Sequence, residues 1–366
     1  MINIYQPQLG KEELDAIKKV FKSNWIGKGK LEEQFKKSIA TKLRFETAEY
    51  GYTCTHPDNL LTINSCTEAL FQVLELLNLK NNDEVVIPSI SFIGVANAIK
   101  NTNAKIRFCD INSRTLNVEL SHLQEVYNKN TKAIILLHYA GVPCDLDPIL
   151  KFCKEKNIIV IEDNANSPFS MYNGKNTGVI GDYGTWSFDS MKIMSMGDGG
   201  LIYAKDKNDI NVDSKWWEYD VSGPGRRSII NDISAAIGIE QLKKVQKFIK
   251  KRKKIHEYYS KCLSKLSWLK IPLPIPVNCE SSYYMYHIQL TDSADRDKLA
   301  SYLKENGIYT TFRYYPLHWV KYYQTHDNGL PNTEYVANHT LCIPIHQSLR
   351  KSETKYIVKT IKNYKK

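Results

Sequence analysis

The chain has 366 residues, more than one hydrophobic core usually organises, so two domains are expected. With 42% hydrophobic and 24% charged residues it can build a packed interior, which excludes a disordered or fibrous protein. The net charge of +11 is compatible with anionic or phosphorylated partners, but its densest run, "QLKKVQKFIKKRKKIHEYYSKCLSK", has helical apolar spacing and reads as the solvated face of a long helix, not as a nucleic-acid arm.

In chain order, "GKEELDAIKKVFKS" predicts an amphipathic helix with Leu14, Ile17, Val20 and Phe21 on one stripe. Residues 44–59 are polar, aromatic-rich and aperiodic, and read as an inserted loop. "LLTINS" is a short apolar strand, and the spacing of Ser65 and Glu68 predicts a helix beginning near Thr67. From "DEVVIPS" to "IIVIEDN", strand and helix patterns alternate, and the strands are nearly all apolar, as when both faces are covered. This predicts an α/β domain around a largely parallel sheet. A long helix is expected over Lys243–Ser264, and the proline-rich "IPLPIPVN" marks a boundary before a smaller α+β domain. The eight cysteines show no framework. With neither a signal peptide nor an apolar run long enough for a bilayer, a cytoplasmic protein with reduced thiols is expected.

Several positions along this order bear chemistry. "NSCTEAL" puts Ser65, Cys66 and Thr67 at the positive end of a helix, as an ordinary cap or a phosphate site. Phe92, after the strand "DEVVIPS", is a core aromatic or a ring that stacks on a flat ligand. "IIVIEDNANS" drives an apolar strand into Glu162 and Asp163, where a carboxylate caps the next helix or holds a cationic ring nitrogen. Lys192, in "SFDSMKIMSMGDGG", lies between methionines and ahead of Gly197, Gly199 and Gly200. On the surface it is one more solvated cation. Buried, its amine is pushed towards the neutral form, a nucleophile that makes a Schiff base with a carbonyl. Ser187 precedes it as a further phosphate contact.

Phosphate cradle, ring stacker, acidic partner and lysine, in that order, resemble the DegT/StrS family of sugar aminotransferases, which depend on pyridoxal 5'-phosphate (PLP) and share the aspartate aminotransferase-like type I fold. The likeness extends from "YQPQLGKEELDAIKKVF" through "HYAGVPCDLDPI" and "AAIGIEQLKKV" to "LPNTEYVANHTLCIPIH", nearly the whole chain. It implies a large PLP-binding α/β domain over residues 1–245 and a small α+β domain over 246–366. It makes Lys192 the Schiff-base lysine and proton carrier, Asp163 the partner of the pyridine nitrogen and Phe92 the stacking ring. Ser65, Cys66, Thr67 and Ser187 fall at phosphate-binding positions, and Asn166 replaces the usual Gln or His beside the cofactor.

The same resemblance implies a cytoplasmic homodimer with active sites at the subunit interface, and no metal, membrane or nucleic-acid partner. L-glutamate is the expected donor and a nucleotide-linked keto sugar the expected acceptor, in ping-pong amino-sugar synthesis for a surface polysaccharide. A small phosphorylated ketone or a non-nucleotide sugar is the alternative acceptor, and a non-catalytic PLP-binding regulator a more distant reading. A family branch with histidine in place of the lysine dehydrates sugars; retention of Lys192 favours transamination. The family's Asn-x-Arg signature, whose Asn reaches a neighbouring subunit's cofactor phosphate, is replaced by "GPGRRSIINDISAAIG", where Arg227 or Asn231 stands for it. Arg313, Tyr315 and His318 in "TTFRYYPLHWV" are the expected substrate contacts. His138 matches a family position or packs at a strand end.

Overall fold

The computed structural model describes residues 1–47, 51–210, 226–323 and 329–365. Helices α1 (Lys11–Ser23) and α2 (Lys30–Ala40) open the chain. The stretch read as an aperiodic insertion is partly ordered: β1 (Arg44–Thr47) and β2 (Gly51–Cys54) pair antiparallel. There follow β3 (Leu60–Ile63), α3 (Cys66–Leu76), β4 (Glu84–Pro88), α4 (Ile93–Lys100) and β5 (Lys105–Cys109). Next come α5 (Leu120–Val126), β6 (Thr131–Leu137), α6 (Leu146–Lys156) and β7 (Ile159–Asp163). After the short β8 (Met171–Tyr172) and β9 (Lys175–Asn176), β10 (Tyr183–Ser187) and β11 (Gly200–Ala204) complete the main sheet.

That sheet has seven strands in the order β3-β11-β10-β7-β6-β4-β5, parallel except for β11. Strands β4, β10 and β11 are buried along their whole length, which fits the apolar runs of β4 and β11; β10 also buries Thr185 and Ser187. Register positions the site. Ser187 pairs with Gly200, Gly200 with Ile63, and Thr185 with Asp163. The ends of β3, β10 and β7 therefore meet at one edge, where ligands of open α/β sheets gather.

Helix α7 (Asp232–Leu263) starts earlier than the lysine-rich pattern predicts. Asn231 caps it, its Oδ1 accepting the Ser234 N–H at 2.9 Å, and the first turns use small residues in place of an apolar stripe. One end of α7 packs in the main core through Leu242, Val245 and Phe248. The other end joins a second core through Ile255, Tyr259 and Leu263. Residues 245 and 246 thus lie within one continuous helix.

Beyond α7 come β12 (Leu269–Lys270), β13 (Cys279–Glu280), β14 (Tyr286–Leu290), α8 (Ala294–Glu305), α9 (Pro331–His339), β15 (Thr340–Ile343) and α10 (Lys351–Asn363). An antiparallel sheet β12-β14-β15 centres this small C-terminal part, while β13 joins β8 and β9. The eight cysteines are all unpaired. No helix among the described residues is long and apolar enough to cross a membrane.

Helix α1 departs from its predicted stripe. Its buried face carries Glu13, held by Lys244 Nζ at 2.7 Å and by Gln241 Nε2 at 2.7 Å, both from α7. Leu14 and Phe21 stay 53% and 63% exposed, next to an exposed Trp25 and Ile26.

Candidate active site

Ser65 ends the turn after β3, and its Oγ accepts the Glu68 N–H at 3.1 Å, so α3 begins at Cys66, one residue before the predicted start. The reciprocal half of the capping box is not used. Glu68 Oε1 instead takes Arg226 Nε at 2.5 Å and Ser228 Oγ at 2.9 Å. The Cys66 and Thr67 N–H groups, at the start of α3, have no helical carbonyl to bind and remain available to an anion. Gly200 lets β11 approach this turn: a Cβ there would lie 2.5 Å from the Ser65 carbonyl carbon.

A cavity of about 270 Å³ opens at this edge. Ser65, Cys66 and Thr67 line it from α3, Phe92 from the start of α4, and Asp163 from the end of β7. Ser187 enters from the end of β10, Lys192 from the segment after it, and Arg313 from the small C-terminal part. The chain thus brings together eight of the residues singled out from sequence.

Lys192 is buried, and its Nζ lies 5.0 Å from the Tyr284 ring centre, a cation–π arrangement. Burial alone pushes the amine towards its neutral form. Its neighbours, Tyr284 and Tyr314 first and Asp163 the carboxylate among them, more than offset that and raise its pKa, opposite to the direction expected from desolvation alone. Asp163 is pushed up by burial and drawn back by the Ala165 N–H at 2.9 Å, by Lys192 and by His138. Cys66 Sγ lies 4.0 Å from Asp163 Oδ1 and 3.6 Å from Thr185 Oγ1, and burial followed by the Asp163 charge pushes its thiol up, keeping it protonated.

Asn166 is fully buried against the same site. Its Oδ1 accepts the Tyr314 hydroxyl at 3.3 Å, while Nδ2 finds no partner among the described residues. Phe92 is 47% exposed, its ring edge-on to Tyr314 with centroids 6.2 Å apart. Arg313 lies over the Tyr5 ring at 4.9 Å.

Other sequence candidates sit elsewhere. Tyr315 is 61% exposed and packs on Trp319. His318 bridges Ser89 Oγ at 2.6 Å and Glu334 Oε1 at 3.3 Å, pinning its loop to the end of β4. Asn231 caps α7 and Arg227 is exposed; neither lines the cavity within this chain. His138 packs at the end of β6, its Nε2 3.0 Å from Glu162 and its Nδ1 accepting the Cys144 N–H at 3.1 Å.

Sequence reading missed Tyr314, which also lines the cavity, and Tyr284 and Tyr139, whose hydroxyl donates to the Arg313 carbonyl. A chain with 23 tyrosines gives no local signal for the few that face a site. Only the adjacency of Tyr314 to Arg313 pointed there.

The family model described as "DegT/DnrJ/EryC1/StrS aminotransferase family" matches residues 7–362. Among curated proteins, the chain is 39% identical to a dTDP-4-dehydro-2,3,6-trideoxy-D-glucose 4-aminotransferase from Saccharopolyspora spinosa, covering 98% of this chain and 95% of that protein. Among solved structures, the aminotransferase TlmJ from Streptoalloteichus hindustanus is 40% identical, with 99% and 98% coverage and a TM-score of 0.93. The PLP form of Spr1654 from Streptococcus pneumoniae, provisionally described as a sugar aminotransferase, shares the fold at 23% identity, with 99% and 97% coverage and a TM-score of 0.86.

Proposed function

The chain belongs to the DegT/DnrJ/EryC1/StrS aminotransferase family, and from that premise we propose that it uses PLP to move an amino group from L-glutamate to a nucleotide-linked keto deoxysugar. The observation that carries this reading is the meeting of Lys192, Asp163 and the first turn of α3 around one cavity. The residues present fit the cofactor. Asn166 Nδ2 is a buried donor with no acceptor among the described residues, and the α3 N-terminus suits a phosphate.

When bound, PLP supplies a carbonyl carbon for the amine and a ring that takes up the electron pair of the breaking C–H bond. The protein's part is to hold and move protons. Lys192 Nζ would anchor the cofactor and, when free, would take the proton from the donor carbon and return it as general base and then acid. Asp163 would hold the ring nitrogen protonated. Asn166 would offer a donor to the ring, Phe92 would cover it, and Ser65, Cys66, Thr67 and Ser187 would hold the phosphate. Arg313, at the cavity wall, meets an anionic part of donor or acceptor.

Two further points belong to this reading. The Saccharopolyspora relative is named for amination at the 4-position of a dTDP-linked sugar, which supports a 4-keto acceptor here, for polysaccharide or amino-sugar synthesis. The exposed Leu14, Phe21, Trp25 and Ile26 are large apolar side chains beside α1, which supports a second copy of the chain covering them. In that homodimer, Arg227 of each subunit, unlike the capping Asn231, has a side chain available to reach the neighbouring site.

The test is the visible spectrum of the purified protein before and after L-glutamate. Bleaching of a yellow band, restored by a dTDP-4-keto sugar, is the expected result. A colourless protein that stays colourless with added PLP overturns the cofactor. Recovery only with small keto phosphates overturns the acceptor, and a yellow protein unmoved by glutamate overturns the donor.

A further inference from the structure

A second cavity, of about 400 Å³, is walled by both halves of the chain. The loops after β5 and β6 bring Val118 and Ala140, the proline-rich stretch brings Pro272, Pro274 and Pro276, and the approach to β14 brings Met285 and His287. None of these lines the cavity that holds Lys192.

The charged groups in its wall are committed to partners inside the protein. Arg114 donates to Gln289 Oε1 and, at 2.8 Å, to the Ile271 carbonyl. Glu119 Oε1 accepts from Asn112 at 2.8 Å, and Asp145 Oδ1 from the Tyr172 hydroxyl at 2.7 Å. His287 is different. It is only 5% exposed, and its Nδ1 finds no hydrogen-bond partner among the described residues. A buried nitrogen left unpaired is costly, and a ligand that satisfies it removes that cost. Burial, reinforced by His256 and Arg114, lowers the His287 pKa to about 3, so the ring is neutral at physiological pH.

Apolar faces, charged groups whose hydrogen bonds are already taken by neutral partners within the protein and one unpaired neutral nitrogen suit an uncharged, flat ligand with a hydrogen-bonding edge. The volume lies in the range of small-molecule sites. We infer that this cavity binds an uncharged nitrogen heterocycle of nucleobase to nucleoside size, hydrogen-bonded to His287 Nδ1 and packed between Met285 and the proline arch.

Its occupant bears on the catalytic cavity through two short paths. The His287 ring lies 5.9 Å from that of Tyr139, whose hydroxyl holds the Arg313 carbonyl. Ala140, in the wall, accepts the Tyr284 N–H at 3.0 Å, and the Tyr284 ring faces Lys192.

Titration calorimetry of adenosine and thymidine into the full chain loaded with PLP tests the inference. One-to-one binding of at least one nucleoside is expected, weakened at least about tenfold in His287→Phe by loss of its hydrogen bond. It is expected to disappear in Leu273→Trp, which fills the mouth from a residue 43% exposed in the wild type, and to survive in Lys192→Ala. No binding of either nucleoside at millimolar concentration overturns the inference. So does binding that persists in both cavity variants, or binding lost in Lys192→Ala, which would place the probe in the catalytic cavity. If His287→Phe fails to fold, Leu273→Trp decides alone.

Discussion

Lys192 is held between two opposing effects, burial that favours its neutral amine and a set of polar neighbours that favours the ammonium. The neighbours win, and the cation rests on the Tyr284 ring with Asp163 nearby to balance it. In the proposed reaction, truncating it removes the anchor and the proton carrier together. Lys192→Ala is expected to lower turnover by at least about 10³-fold, with the circular dichroism of the wild type. Near-normal turnover would refute its role. Asp163→Asn is isosteric and can keep the Ala165 N–H contact, but under the proposed function its amide could not hold a ring proton by charge. Its kcat is expected to fall by about 10²- to 10⁴-fold, with cofactor still bound; unchanged rates would move the ring partner elsewhere. Both residues were legible in the sequence, because a strand-end acid and a lysine among apolar residues are locally unusual. Tyr314 was not. "FRYYPLH" offers three aromatic rings in four residues, and only the packed chain decides which of them turns inward onto Asn166.

Among the elements, α7 does the most to shape the site without entering it. Gly238, in its second turn, lets Met196 approach so closely that a Cβ would lie 2.8 Å from its sulfur. Further along, fully buried Arg252 donates to Gln347 Oε1 at 3.0 and 2.8 Å, and to the carbonyls of Tyr284 and Ile345 at 3.1 and 3.0 Å. Burial lowers its pKa to about 10, so it stays charged at neutral pH. Gln347 passes the hold on, its Nε2 donating to the Ile193 carbonyl at 3.2 Å, directly after Lys192. Gln347→Leu strands part of a buried cation and is expected to cost about 3 kcal/mol of stability, with a fall in kcat larger than any change in KM. Gln347→Glu keeps the acceptor and loses the donor, so it should recover stability but not rate. If both variants turn over normally, the relay does not position the lysine. The helix itself was read from its lysine-rich face. Its first turns escaped because "DISAAIGIE" packs by smallness, and the α1 stripe misled because Glu13, not Leu14, found a partner on α7.

Across the whole molecule, the order of strands and helices was legible because a parallel sheet covered on both faces leaves unbroken apolar runs. Groups whose state depends on partners distant in sequence were not. Three histidines illustrate this. His256 and His346 are lowered to about 4 and His287 to about 3, each mainly by desolvation. His287 and His346 are buried outright, and for His346 the Asn3 backbone offsets only part of the desolvation. In the unfolded chain each takes up its proton near pH 6.5, so below that the unfolded state binds protons that the folded state refuses. The sign follows: this stability is fully present above about pH 6.5 and is lost as pH falls towards the folded pKa values. Between neutrality and pH 5, each neutral histidine should cost about 2 kcal/mol as an upper bound. Urea midpoints measured across that range should therefore drop on acidification well before the bulk of the carboxylates titrate. His287→Phe should remove about a third of the drop. Midpoints flat down to pH 5 would mean that these rings gain protons without unfolding, and would place water or a ligand beside them.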